Sequence, residues 1–335
     1  MSAIAAVALV SASRSTAPSS LSADAYLDRA LALMEANDVS GAAVDWPAVS
    51  RRAHAMAASA KTTAGTYAAI EYALGELHTA GDLHANFYNP LTAKLLRSAP
   101  DVTATPPPSV SLAGDRLGDI QLQAVNSQMT TANGRRYAAV ALSAIARLQQ
   151  QSHPCGWIVD LQADEGGNVV PMILSVGPIL GEGRVAGFTG RKGYTYSIAY
   201  QANTFSENGY TAHAPITAAP ITPAPPVAVV YGSSTASAGE LVAVAFRGRP
   251  HTRSFGAVTA GYTTGPQFFH LPDGAALFLG TVYYVDRNGV VYRRALQPDV
   301  QTSEPDAVGT AARWLLAQPA CVGVDRRSAG STRGP

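Results

Sequence analysis

Two stretches of this chain combine residue types that could do covalent chemistry. The first is Val227-Ala-Val-Val-Tyr-Gly-Ser-Ser-Thr-Ala-Ser-Ala-Gly-Glu240: an apolar run, a turn of small residues and then helix formers. A serine placed where a buried strand hands over to a helix has its hydroxyl at the sheet edge, where the free N–H groups of the helix start also converge. That pairing suits acyl transfer. The same serines and threonine would equally serve to cap the helix, and on this segment alone capping is the more ordinary account. The second stretch is Gly156-Trp-Ile-Val-Asp-Leu-Gln-Ala-Asp-Glu-Gly-Gly-Asn168, a second buried strand ending in adjacent glycines. Gly166 and Gly167 would let backbone approach a ligand and offer an N–H to a developing oxyanion, or would simply make a tight turn.

Taken together, the two stretches resemble the tail-specific, or C-terminal processing, proteases: the S41 serine peptidases. There a strand ending in Asp-Leu-Arg-x-Asn-x-Gly-Gly is followed by Ser-Ala-Ser-Ala-x-Glu, whose middle serine is the nucleophile. The likeness continues through 246–261, Leu271-Pro-Asp-Gly-Ala275 and Pro298-Asp299, covering roughly residues 112–300. It implies Ser237 as nucleophile, Ala238 with Gly166 or Gly167 as oxyanion donors, and Glu240 as the motif's closing carboxylate. The serine–lysine members carry lysine directly after the glycine of a Thr-x-Gly turn, where this chain has Tyr262. The tricorn-like branch instead uses a histidine from an Asp-x-His motif, matched here by Asp82-Leu-His-Ala85. His84 is therefore the expected general base, since a neutral imidazole suits proton abstraction near pH 7.

That branch orients its histidine with a glutamate before the Gly-x-x-Pro-Asp turn. This chain has no carboxylate there, which leaves Asp299 as a substitute, or as an ordinary turn aspartate. Gln162, Asp164 and Ala85 are further departures from the family's usual residues. The interval between His84 and the core is also too short for the PDZ domain that many members insert. The expected activity is peptide-bond hydrolysis through an acyl-enzyme on Ser237. The alternatives are a ligand-binding protein with weak or no activity, as in the family's retinoid-binding relatives, and a small-ester hydrolase.

These residues need a scaffold, and the periodicity supplies one. Apolar residues at helical spacing mark helices from Ser22, from Trp46 to about Ala60 and from Thr63. Asn89-Pro90 breaks that pattern, and 99–111 reads as a proline-rich connection. Strand, helix and strand then follow at Ile120–Val125, Tyr137–Gln149 and Gly156–Leu161, as a crossover unit requires. Further helices are expected at Pro171–Leu180, Ser237–Phe246 and Asp306–Leu316. Strands are expected at Tyr194–Tyr200 and Val227–Tyr231, and as Ala276–Leu279, Val282–Val285 and Val290–Arg293 around the Asn288-Gly289 turn.

The fold class is α/β. The resemblance makes it a crotonase/ClpP-like core of strand-strand-helix units behind a small helical N-terminal domain. The expected division is 1–21 signal-like or disordered, 22–98 helical, 99–111 connection, 112–319 protease core and 320–335 flexible tail.

Composition narrows the partners. With 24 basic and 23 acidic residues the formal charge is +1, and no basic stretch offers a nucleic-acid footprint. No run reaches the ~18–20 apolar residues of a spanning helix, so stable membrane insertion is not expected. The seven histidines and two cysteines fall in no metal-ligand spacing, and neither metal nor cofactor is implied. The substrate class is peptide or unfolded protein; the sequence is silent on oligomeric state. The apolar run Ile4–Val10 resembles the end of a secretory signal and, with the family's habits, points to an extracytoplasmic site. Cys155 and Cys321 could pair after export or remain buried thiols in the cytosol.

Overall fold

A run of five buried residues, Val227–Tyr231, can lie only in the middle of a sheet covered on both faces. A computed structural model describes residues 21–98 and 105–322; the signal-like stretch, the start of the connection and the end of the tail lie outside them. The N-terminal part contains α1 (Ala23–Asn37), α2 (Trp46–Ala57), α3 (Tyr67–Ala80), β1 (Asn86–Tyr88) and α4 (Pro90–Ser98). Helix α1 starts at Ser22, whose hydroxyl accepts from the Ala25 N–H. Helix α4 begins where the sequence suggested only a break, because proline is well tolerated at a helix's first position.

The rest of the chain opens with β2 (Ser109–Ala113), β3 (Leu117–Gln121), α5 (Ala132–Gln151), β4 (Gly156–Asp160) and α6 (Val169–Leu180). It continues with β5 (Gly183–Gly190), β6 (Thr195–Gln201), β7 (Thr204–Glu207), β8 (Tyr210–His213) and β9 (Val227–Tyr231). After α7 (Ala238–Phe246) come β10 (Thr252–Gly256), β11 (Thr264–His270), β12 (Ala276–Asp286), β13 (Val291–Tyr292) and β14 (Val300–Gln301). The chain closes with α8 (Glu304–Leu316) and α9 (Pro319–Val322). Ala276–Leu279 and Val282–Val285, expected as separate strands, form the single strand β12. Strand β11 pairs with it on both sides of Gly280, through a register shift at that point, and so keeps it one strand.

Two sheets result. One has six strands in the order β14-β10-β9-β4-β3-β2, parallel except for β2 at its edge. The other has eight antiparallel strands, running β1-β12-β5-β6-β7-β8 with β11 and β13 also on β12. Helices α6 and α7 contribute to the main core between the sheets, and almost all of their residues are buried. Helix α8 covers the far face of the parallel sheet, while α1 to α3 pack on Leu277 and Leu279 of β12. The molecule is thus a mixed α/β structure with a helical N-terminal region.

Cys155 and Cys321 form a disulfide that ties α9 to the start of β4 across 166 residues. Closing so long a loop restricts the unfolded chain, an effect of about 2–5 kcal/mol. Reduction, or Cys155→Ala with Cys321→Ala, is expected to lower Tm by roughly 3–7 °C in a calorimetric scan. An unchanged Tm would mean that the bridge contributes nothing to stability.

Candidate active site

Strands β4 and β9 are parallel neighbours, with Trp157 opposite Val227. Their carboxyl ends therefore meet at one edge of the sheet, the position where open α/β sheets carry their ligands. The glycine loop leaves β4 there and the serine turn leaves β9. Ser237 has φ 52° and ψ −117°, a conformation few non-glycine residues adopt. It is held by its own backbone: the Ser237 N–H donates to Glu240 Oε2 at 3.0 Å. Glu240 also accepts from the Gly261 N–H at 3.0 Å and from the Thr259 hydroxyl. Burial nevertheless pushes its carboxyl up to about 7 against these bonds. Glu240 thus pins the start of α7 to the 259–261 turn.

Gly166 and Gly167 both have φ above +100°. A Cβ on Gly167 would stand 2.2 Å from the Val125 oxygen, and one on Gly166 would stand 2.8 Å from Ser237 Cβ, so no side chain fits at either place. The Gly166 N–H donates to Asp164 Oδ1 at 2.9 Å. Among the described residues, neither the Gly167 nor the Ala238 N–H donates to a protein acceptor. Both of these residues line a cavity beside Ser237. Of the two glycines named from sequence, Gly167 is the one with a donor to offer.

His84 arrives from a distant part of the chain. Gly81, in the left-handed conformation, ends α3, and Asp82 Oδ1 accepts the His84 N–H at 3.1 Å, shaping the turn. Strand β1 then pairs with β12, Asn86 opposite Phe278, while β11 pairs with the same strand, Thr264 opposite Tyr283. The shared partner β12 brings the 82–84 turn against the start of β11. Gly280 of β12 admits this approach: its N–H donates to Asp82 Oδ2 at 2.7 Å, and a Cβ there would lie 2.6 Å from Asp82 Oδ1.

The outcome is a continuous chain of hydrogen bonds. His84 Nε2 stands 3.1 Å from Ser237 Oγ, His84 Nδ1 stands 2.7 Å from Thr264 Oγ1, and the Thr264 hydroxyl donates to Asp82 Oδ1 at 2.8 Å. Because Thr264 gives its proton to Asp82, it must accept from His84, which places the imidazole proton on Nδ1. Nε2 is then free to accept from Ser237. His84 is buried, with Tyr262 and Phe278 edge-on to its ring at 5.0 and 6.2 Å. Burial pushes its proton affinity below the ordinary histidine range, opposed by the negative charge of Asp82. The Asp38 carboxyl, also buried and within reach of Asp82, is driven well up by burial first and by Asp82 second.

Several residues named from sequence stand elsewhere. Asp299 does not face His84: it binds Arg247 at 2.7 Å and both the N–H and hydroxyl of Ser254 at 2.8 Å. The turn carrying it belongs to the β10 and β14 edge of the parallel sheet, which accounts for the mismatch. Tyr262, at the family's lysine position, is an aromatic wall for His84. Thr264 was missed, and its only local signal is its place three residues after the Thr259-Ala-Gly261 turn.

Comparison with known proteins gives three findings. The model of peptidase family S41 matches residues 116–302. A nisin-resistance protein of Lactococcus lactis subsp. lactis is 30% identical over 164 residues, 49% of this chain. The match spans about half, 50%, of that relative's length. Among solved structures, a lipoprotein from Streptococcus agalactiae superposes with a TM-score of 0.68 at 22% identity, covering 90% of this chain and 99% of that one. A photosystem II D1 C-terminal processing protease gives 0.57 at 16% identity, covering 90% and 99%. At these identities the two likenesses speak for the fold.

Proposed function

The chain belongs to peptidase family S41, and from that premise we propose that it hydrolyses peptide bonds through an acyl-enzyme on Ser237, with His84 as general base. The observation that carries this reading is the 3.1 Å contact between His84 Nε2 and Ser237 Oγ. These groups come from segments 153 residues apart, and the imidazole's other nitrogen is already held by Thr264. A serine serving only as a helix cap needs no such partner.

In the first step Ser237 Oγ attacks the substrate carbonyl carbon while its proton passes to His84 Nε2. The carbonyl oxygen becomes an anion and accepts from the N–H groups of Ala238 and Gly167. The imidazolium then protonates the leaving amine. Water, losing its proton to His84, attacks the ester, releases the acid and restores Ser237. Asp82 and Thr264 act one step removed, fixing the tautomer and tilt of the ring. This is the histidine-using arrangement of the family, with threonine between the imidazole and its carboxylate.

Two features support an extracytoplasmic site. The Cys155–Cys321 disulfide forms and persists in oxidising compartments. A relative by sequence is a nisin-resistance protein. No helix among the described residues is long and apolar enough to cross a membrane. The family's substrates are peptides, and nisin belongs in the first panel to be tried.

The test is labelling of purified protein by a fluorophosphonate, alongside hydrolysis of a peptide library. Labelling of the wild type that disappears in Ser237→Ala supports the reading. A folded wild type that neither labels nor cleaves any peptide sinks it and turns attention to ligand binding. A second test addresses the positioning groups. Thr264→Val strands a buried N–H on His84 at a cost of about 1–3 kcal/mol, so kcat should fall roughly 10–100-fold with KM little changed. Thr264→Ser should recover most of the loss. A Thr264→Val enzyme within twofold of wild type would remove Thr264 from the chain of contacts.

A further inference from the structure

Resting on the reading of Ser237 as nucleophile, we propose that the cavity beside it receives the side chain preceding the scissile bond. We further propose that Glu207 makes this pocket select a cationic side chain, lysine or arginine. Strand β7 is short, and its residues alternate: Phe205 lies wholly inside the core, and Glu207, two residues on, shares its face. The carboxylate is therefore directed inward. Its cross-strand neighbours agree, since Ile198 opposite it on β6 is buried and Tyr210 on β8 packs against the core.

The cavity that Glu207 enters has a volume of about 140 Å³ and reaches Ser237, Ala238 and Gly167. Phe188, Tyr196 and Tyr284 are among its walls. A cavity of roughly 150 Å³ holds a benzene molecule, so the space suits a single extended side chain such as that of lysine or arginine. Its position also says which side of the bond it serves. The leaving amine must lie at His84, which is not part of the lining, whereas both oxyanion donors are. The pocket therefore belongs to the acyl half of the substrate.

The pocket's own charges are unbalanced. Among the described residues Glu207 forms no ion pair. Burial pushes its carboxyl up to about 7, and its charge opposes ionisation of Tyr196 and Tyr210 nearby. A carboxylate half sunk among aromatic rings without a cation is unfavourable. An incoming ammonium or guanidinium removes that penalty, lays its aliphatic stem along Phe188 and Tyr196, and gains from the ring faces.

The experiment has two arms on the full chain. In the first, wild type and Glu207→Gln cleave matched peptides that differ only in lysine or its neutral isostere norleucine before the bond. Lysine should be preferred about 10–100-fold in kcat/KM by the wild type, and the ratio should fall to near one in Glu207→Gln. In the second, Ser237→Ala and Ser237→Ala/Glu207→Gln are titrated by NMR with n-butylguanidinium and with neutral n-butylurea. Tighter binding of the cation, lost with Glu207, is expected. Norleucine cleaved as well as lysine, or a lysine preference that survives Glu207→Gln, overturns the proposal; so does equal binding of the two small probes. Glu207 would then be an inward charge guarding the nearby sheet edge. Fluorophosphonate labelling of the wild type keeps the two questions apart. If it fails, Ser237 loses its role and the binding arm alone judges the pocket.

Discussion

Ser237→Ala is expected to lower kcat for peptide hydrolysis by roughly 10⁶-fold, because removal of a serine nucleophile eliminates the covalent route and leaves only binding and oxyanion stabilisation. The fold should not suffer. The Ser237 hydroxyl meets His84 and the buried Tyr284 hydroxyl, while the unusual backbone is held by Glu240 through the main-chain N–H. Alanine meets the same backbone conformation at the same steric cost, so Tm should stay within a few degrees and peptides should still bind. Stopped assays on enzyme purified away from host peptidases, with Tm measured in parallel, make the comparison. Residual hydrolysis above about one per cent of wild type would mean that another nucleophile is at work, and the assignment of Ser237 would fall.

His84→Ala should cost a loss of the same order, about 10⁴–10⁶-fold, since without a base the serine proton has nowhere to go. The pH profile gives the sharper test. The base must be neutral, and burial of His84 pushes its proton affinity below the ordinary value of 6.5. On a peptide with norleucine before the bond, which keeps the Glu207 carboxyl out of the profile, wild-type kcat/KM should therefore hold level from alkaline pH down past neutrality. It should fall only as pH drops through a midpoint below about 6.5. The stability linkage has the same sign. Below about pH 6.5 the unfolded chain binds a proton at this histidine that the folded chain resists, so the His84 contribution to stability declines as pH falls. Residual activity of His84→Ala should lack this acid limb. A wild-type midpoint above 7, or an unchanged limb in His84→Ala, would assign the proton transfer to another group.

Much of the scaffold was legible because local pattern and burial coincide in it. Val227–Tyr231 is apolar throughout, as a strand covered on both faces must be, and the helix after it was misplaced by one residue only because Ser237 itself has positive φ. The crossover around α5 was legible in the same way. The antiparallel sheet was legible only in β6, β12 and β13: β5, β7, β8 and β11 are short, polar or interrupted by glycine and proline, and their partners rather than their propensities make them strands.

The site divides along the same line. Ser237, Gly167 and Ala238 sit on the two loops that carry the family's motifs, and His84 sits in an Asp-x-His match, so the resemblance to the family was enough to nominate all four. The partner of His84 was beyond such reading, and the search for a carboxylate near Asp299 led to the wrong edge of the parallel sheet. Thr264 and Asp82 are 182 residues apart and meet because β1 and β11 both pair with β12. Glu207 reaches the cavity because β7 is laid down between β6 and β8. A motif records which residues a segment offers, but a hydrogen bond between distant segments depends on strand register, and register is decided by the packing of the whole sheet.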